Sequence, residues 1–282
     1  MRTIAHISDL HFGRIDPTVV EALLADLAEQ KPSLVIISGD LTQRARSSQF
    51  MAARDFLARL QSPYTVVPGN HDIPAFNLLR RFADPYRNYR RYITDILSPV
   101  YEDDELVVLG LNTSRSVILD FAEGRINRRQ MDMIMRVFQQ AGPDRFRVLF
   151  THHPFLPPPD APDTQLVGRA HKALKALEAA GVELLLAGHL HRAYSGDIMS
   201  HHTRIARSIL VAQASTATST RLRNEPNAYN FITVDLPRVS FLVRSWEGAR
   251  FTPGLLSCYV KTAERWQLES QDVGLRSTAL EA

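Results

Sequence analysis

The stretch YTVVPGNHDIP, residues 64–74, decides how the rest of the chain is read. A β-branched, apolar run reads as a strand and stops at Gly69. Asn70, His71 and Asp72 then stand side by side with nothing apolar between them. One strand end therefore delivers three polar side chains of three different kinds.

The same pattern recurs outward from it. Strands are expected at 2–8 (RTIAHIS), 33–38 (SLVIIS), 105–111 (ELVVLGL), 147–151 (RVLFT) and 183–187 (ELLLA). Helical spacing is expected at 18–30, 47–60, about 127–140 and 168–180. In the second helix Phe50, Ala53, Phe56, Leu57 and Leu60 share one face. Near the end, 208–215, 228–236 and 240–246 are read as consecutive antiparallel strands with short turns. Strand–helix alternation followed by a β-rich end predicts a mixed α/β layer fold, with short apolar strands in sheets covered on both faces.

PFLPPPDAPD, residues 154–163, is an extended loop on its proline content. Residues 76–100 form an insert carrying Arg80, Arg81, Arg87, Arg90 and Arg91. Its apolar residues Phe76, Leu78, Leu79, Phe82 and Tyr86 suit an acyl groove or, the preferred expectation, one packed helix face. The organisation expected is a single domain over 1–266, with an insert at about 76–103 as a candidate cap, and a polar tail over 267–282.

Composition excludes several classes. The chain has 282 residues, 45% of them hydrophobic and 22% charged, which suits a soluble globular protein. It shows no secretory leader and no run long enough to span a bilayer, so a cytoplasmic location is expected. The single cysteine, Cys258, rules out an internal disulfide and a cysteine-rich zinc motif. The net charge of +3 is mild for a nucleic-acid binder. Twenty-nine of the 33 cationic residues are arginine, the better fork for phosphate, although a count alone locates no site.

The chemistry lies in where the polar residues fall. Five predicted strands end in Asp9-Leu10-His11, Gly39-Asp40, Gly69-Asn70-His71-Asp72, His152-His153 and Gly188-His189-Leu190-His191. In open α/β sheets ligands bind at the carboxyl ends of strands. If the chain is extended there, Asp9 and His11 point to one side, as do His189 and His191. Each cluster alone is weak, since a Gly-Asp or a histidine at a strand end is usually a turn. Five in order are not a coincidence. Oxygen and nitrogen ligands of these types suit Mn, Fe or Zn rather than Ca or Cu(I). Seven of them are too many for one ion and suit two, bridged by a carboxylate, the arrangement of hydrolysis at phosphorus.

The blocks D-x-H, G-D, G-N-H-D, H and G-H-x-H, running from residue 9 to 191, resemble those of the calcineurin-like metallophosphoesterases. ISDLHFG, GDLTQRA, PGNHDIP, THHP and AGHLHRAY look most like bacterial class III cyclic-nucleotide phosphodiesterases. The resemblance implies a four-layer α/β/β/α sandwich with a dimetal site on one rim. It implies one divalent ion held by Asp9, His11, Asp40 and His191, and a second by Asp40, Asn70, His152 and His189, Mn or Fe being expected and Zn also suitable. His71 would donate a proton to the leaving oxygen or steady the developing charge, with Asp72 orienting it or only shaping the turn. His153 falls outside the implied ligand set, and His6 and His171 are expected to be structural.

Arg44, Asn112 and Arg192 are the candidate substrate contacts nearest to these blocks, each also readable as a turn or surface residue. The function implied is metal-dependent hydrolysis of a small phosphodiester such as a cyclic nucleotide, a metal-activated hydroxide attacking phosphorus. A nucleotide-sugar or lipid-linked pyrophosphate, a nuclease substrate, and a non-catalytic scaffold are the alternatives, the last opposed by the intact ligand blocks. Nucleic acid is not an expected partner; a lipid substrate and a homodimer remain open.

Overall fold

In the computed structural model, residues 1–75, 77–116, 123–157, 163–191, 194–197, 208–222, 225–263 and 265–273 are described. Strands β1 (Arg2–Ile7), β2 (Leu34–Ile37) and β3 (Tyr64–Val66) run parallel side by side. Helix α1 (Pro17–Gln30) crosses from β1 to β2, started by Asp16, whose carboxylate accepts from the Thr18 N–H at 2.9 Å, and by Pro17. Helix α2 (Ser47–Leu57) crosses from β2 to β3 and buries Phe50, Ala53, Phe56 and Leu57, as its spacing predicts.

The second half repeats the plan. Strands β4 (Val100–Glu102), β5 (Leu106–Leu111), β6 (Phe146–Thr151), β7 (Leu184–Ala187), β8 (Tyr194–Asp197) and β9 (Leu210–Gln213) form a sheet of order β4-β5-β6-β7-β9-β8. Helices α5 (Arg128–Gln140) and α6 (Ala170–Ala179) cover its outer face. The first sheet is extended by β10 (Ala228–Asp235), β11 (Arg238–Trp246), β12 (Phe251–Thr262) and β13 (Arg265–Val273), giving β13-β12-β11-β10-β1-β2-β3.

Three apolar layers hold this together. Ile4, Ile36, Val108, Phe150, Leu186 and Phe241 fill the space between the two sheets. The other two layers lie between each sheet and its helices. The result is the expected four-layer α/β/β/α sandwich. Among the described residues no helix is long and apolar enough to cross a membrane.

Three local expectations are corrected. The run at 208–215 does not join an antiparallel meander: β9 pairs parallel with β7 in the second sheet, and the chain then crosses to β10 in the first. The polar tail expected from 267 is instead strand β13 as far as Val273. It reads as polar because it is an edge strand, with only Trp266 turned into the core. In the insert, helices α3 (Leu78–Ala83) and α4 (Arg87–Tyr92) form, but Leu78, Leu79 and Phe82 are 53%, 81% and 56% exposed. The inward position of α3 goes to Arg81, whose guanidinium donates to the carbonyls of Pro74, Arg115 and Ser116. That arginine, with Tyr86 on Ser114 O, Asn88 on Ala45 O and Tyr89 on Val66 O, anchors the insert to the rim loops.

Candidate active site

Parallel pairing aligns the carboxyl ends of β1, β2, β3, β5, β6, β7 and β9 on one rim. The pairing continues past the strands: Asp9 N donates to Gly39 O at 3.1 Å, and His11 N to Asp40 O at 2.9 Å. The chain then leaves the extended region. Asp9, His11, Asp40, His189 and His191 have φ of 54°, 50°, 52°, 73° and 57°. Five non-glycine residues in the left-handed region, all at one place, mark strain stored at a functional site. This corrects the pleat argument: D-x-H and H-x-H aim their side chains by left-handed turns, not by strand alternation.

Gly39 and Gly69 make the close approach possible. Gly39 has φ +91°, and a Cβ there would stand 2.8 Å from His152 Nδ1. A Cβ on Gly69 would collide with the Asp40 carboxylate.

The side chains converge in two neighbouring groups. Asp9, His11 and His191 form one: His191 Nε2 lies 3.3 Å and His11 Nε2 3.5 Å from Asp9 Oδ1, and the two Nε2 atoms are 3.4 Å apart. His152 centres the other, with Asn70 Oδ1 at 3.0 Å and His189 Nδ1 at 3.2 Å from its Nε2. Asp40 stands between the groups, its Oδ2 3.4 Å from His152 Nε2 and 3.7 Å from His11 Nε2. All seven sequence-predicted ligands are therefore together, and His189 and His191, two residues apart, face different groups. His153 joins the second group, its ring 4.9 Å from those of His152 and His189, with its Nδ1 2.7 Å from Thr113 Oγ1.

The surroundings fix the orientation of these candidate ligands. His152 Nδ1 donates to Ser38 O at 2.8 Å and His191 Nδ1 to Arg221 O at 3.2 Å, so each Nε2 faces inward. Asp9 Oδ2 accepts from Ser8 Oγ and His189 N, whereas Asp9 Oδ1 is buried without a hydrogen-bond donor. A buried carboxylate oxygen without a hydrogen-bond donor, facing imidazole nitrogens, fits a cation. Burial opposes the charge on Asp9, but His191, His11 and His152 outweigh it and hold the carboxyl well below the usual range. Burial likewise opposes Asp40, and His152, His71 and His11 lower it. Burial, then His152, pushes His189 down to about 4, whereas His152, despite burial, is raised to about 9 by Asp40.

His71 sits beside the first group, its ring edge-on to His11 at 4.9 Å, and its backbone N–H donates to Asp40 Oδ1 at 2.8 Å. Its Nδ1 lies 2.9 Å from Gln43 O, which can only accept. His71 Nε2 then accepts from Arg221 Nη1 at 3.2 Å. Asp72 does not reach the His71 ring. Its carboxylate accepts from Leu41 N, Thr42 N, Thr42 Oγ1 and Gly69 N, clamping the loops after β2 and β3, and burial, then Asp40, raises it to about 6. The tight turn at Asn70–Asp72 aims the carboxylate back at these N–H groups, so Gln43 O, not Asp72, orients the imidazole.

Of the substrate candidates, Asn112 accepts from Ser114 N and shapes its own loop, Arg44 lines an adjacent cavity, and Arg192 lies outside the described residues, as do His201 and His202. His6 pairs with Ser38 Oγ between β1 and β2, and His171 is exposed on α6. Arg221 was missed in the sequence. It lies in TSTRLRNEP, which matches no motif. The one available signal was its place after β9, a parallel strand whose following loop must cross this rim. That loop is fastened by Ser215 Oγ to His191 O, Thr216 Oγ1 to Asp9 O and Thr218 Oγ1 to Leu10 O.

The calcineurin-like phosphoesterase family model matches residues 2–193, the span that holds both ligand groups. The chain belongs to this family. Family membership places it among metal-dependent phosphoesterases. It is 29% identical over 211 residues to the glycerophosphodiester phosphodiesterase GpdQ of Enterobacter lignolyticus, covering 67% of this chain and 70% of that one. A probable glycerophosphodiester phosphodiesterase of Arcobacter nitrofigilis is 30% identical over 166 residues, 57% of this chain and 58% of the relative's length. A cAMP/cGMP dual specificity phosphodiesterase of Mycobacterium tuberculosis is 24% identical over 258 residues, 82% of this chain and 75% of that one. In fold the chain resembles a dimetal phosphatase from Danio rerio, with a TM-score of 0.61 at 14% identity over 89% of this chain and 98% of that one. A purple acid phosphatase from yellow lupin has a TM-score of 0.62 at 12% identity, covering 89% of this chain and 52% of that one.

Proposed function

We propose that this calcineurin-like phosphoesterase hydrolyses small phosphodiesters at a dinuclear centre of divalent ions, Mn or Fe. The observation that carries this is Asp40 Oδ2, one carboxylate oxygen placed between His11 and His152 and so between the two ligand groups. Asp9, His11, Asp40 and His191 would hold one ion, and Asp40, Asn70, His152 and His189 the other. Such ions supply charge neutralisation at phosphoryl oxygens and lower the pKa of water. Asn70 contributes a neutral oxygen, which keeps the donor set from repelling a phosphate anion.

The chain's own residues do the rest. Gln43 O fixes the His71 ring, and His71 Nε2 holds the Arg221 guanidinium at the edge of the first group. Of the two duties the family resemblance gives His71, steadying charge on the phosphate is the one this contact supports, with Arg221 as the cation. Asp72 keeps the loops of Asp40 and Asn70 in register. Glycerophosphodiesters and cyclic nucleotides, the substrates named for the relatives, are the first classes to try.

The test is turnover by protein reconstituted with Mn or Fe. The panel is bis-p-nitrophenyl phosphate, p-nitrophenyl phosphate, glycerophosphoethanolamine, 2′,3′- and 3′,5′-cAMP, and single-stranded DNA. Preference for the small diesters is expected. Cleavage of none of them would leave only a binding scaffold.

A further inference from the structure

A hollow of about 330 Å³ is lined by residues of the loops that follow β2 and β3 and of the insert. Arg44, Arg46 and Arg80 contribute three guanidinium-bearing side chains, joined by Ser47, Asn77 and Asn88, and no carboxylate belongs to the lining. Neighbouring surface arginines are neutralised: Arg54 meets Asp55 at 2.8 Å, Arg90 meets Asp84 at 3.3 Å, and Arg59 pairs with Glu21. Arg46 and Arg80 have no carboxylate partner among the described residues. Arg46 and Arg80 thus bring two positive charges with no carboxylate partner to one concave surface, which suits an anion.

The hollow is built from the loops that build the site. Its first lining residue, Arg44, follows Gln43, whose carbonyl holds His71. Ala45 N donates to Thr42 Oγ1, and that hydroxyl donates in turn to Asp72 Oδ1. Pro74 and Ala75 follow the Asn70–Asp72 turn. The insert closes the outer wall: Asn88 is tied to Ala45 O at 2.9 Å, and Asn77 caps α3 by accepting from Arg80 N at 3.0 Å. The neighbouring Arg81 is spent on backbone carbonyls, which leaves Arg80 as the arginine of α3 facing the hollow.

We propose that this hollow is a subsite for a second phosphate of the substrate. The enzyme then prefers a phosphodiester that carries a further phosphate group to the same diester without one. The proposal rests on reading the adjacent ligand groups as a phosphodiesterase centre. It gives the insert a role in substrate selection, and it favours doubly phosphorylated substrates over simple cyclic nucleotides.

Two esters with the same scissile bond test it: thymidine 5′-(p-nitrophenyl phosphate), with and without a 3′-phosphate, on the Mn-reconstituted enzyme. We expect kcat/KM about tenfold higher for the 3′-phosphorylated ester, mostly through KM, since guanidinium–phosphate pairs bind the added group. In the Arg46→Ala/Arg80→Ala variant, checked for an unchanged Tm, this preference ratio should fall to about one. Equal kcat/KM for the two esters, or a preference that survives in the variant, overturns the proposal. So does inorganic sulfate changing the turnover of both esters alike, the mark of a separate anion effector. If neither ester is cleaved, the hydrolase reading is decided by the substrate panel above. Calorimetric binding of thymidine 3′,5′-bisphosphate then decides the subsite: about tenfold weaker binding in the variant upholds it, and equal binding overturns it.

Discussion

Arg221 Nη1 donates to His71 Nε2 at 3.2 Å, joining two residues 150 positions apart on opposite sheets' loops. Arg221 also gives its carbonyl to His191 Nδ1 at 3.2 Å. One residue thus sets a candidate ligand histidine with its backbone and the rim imidazole with its side chain.

Replacing Arg221 by Ala should lower kcat about a hundredfold for diesters with alkoxide leaving groups, the usual cost of one charge-stabilising donor. The loss should be similar for p-nitrophenyl esters, because the charge Arg221 steadies is on the phosphate and not on the leaving group. Metal content by mass spectrometry should stay near wild type. His71→Ala should also cut turnover much more than metal content. The double variant should be little worse than either single one, because the two side chains act together. Full additivity would separate their roles.

Asp40→Asn should strip metal from both groups, not one. Asp40 Oδ2 faces both His11 and His152, while Oδ1 accepts from His71 N. Stoichiometry after reconstitution should fall well below one ion per chain, and activity by about a thousandfold or more. Retention of one tightly bound ion would refute the bridging position.

Asp72→Ala should act first on stability. Its carboxylate is 1% exposed and receives four hydrogen bonds from Leu41, Thr42 and Gly69. Leaving those donors unpaired should cost about 2–4 kcal/mol, read from urea unfolding of the chelator-treated protein. An unchanged midpoint with a large drop in kcat would restore a direct role beside His71.

His6 should make the protein acid-sensitive. Burial, opposed by Asp9, lowers its pKa from 6.5 to about 3. Below pH 6.5 the unfolded chain takes up a proton that the folded chain refuses until about pH 3, so stability falls as pH drops through that window. Between pH 7 and 5 this single group should remove about 2 kcal/mol. His6→Gln should unfold with a correspondingly flatter dependence over the same range, measured with chelator present. Identical slopes for the two proteins would rule His6 out as the cause.

Much of this site was legible in advance because ligand chemistry is written in residue types. Aspartate, asparagine and histidine at the ends of apolar runs need no tertiary contact to be noticed, and parallel strands must place those ends on one rim. Residues that serve through position were not legible. Asp72 reads as a histidine's partner until the turn at Asn70–Asp72 points it at backbone N–H groups. Leu78, Leu79 and Phe82 read as a packed face until Arg81 takes the inward position on α3. Periodicity states which residues lie together on an element, not which way a six-residue helix faces.

The sequence by itself determined the layered α/β plan, the strand ends that carry candidate ligands, and the seven side chains that gather on the rim. These follow from short-range rules: β-branched runs, helical spacing, and the donor chemistry of each residue. The tertiary structure alone decided that His189 and His191 serve different groups, that Asp40 lies between them, and that Arg221 and the arginine-lined hollow border the site. Those depend on left-handed turns at single residues, on sheet order, and on a loop crossing from β9 to β10. Only three-dimensional packing brings side chains 150 residues apart within hydrogen-bonding distance.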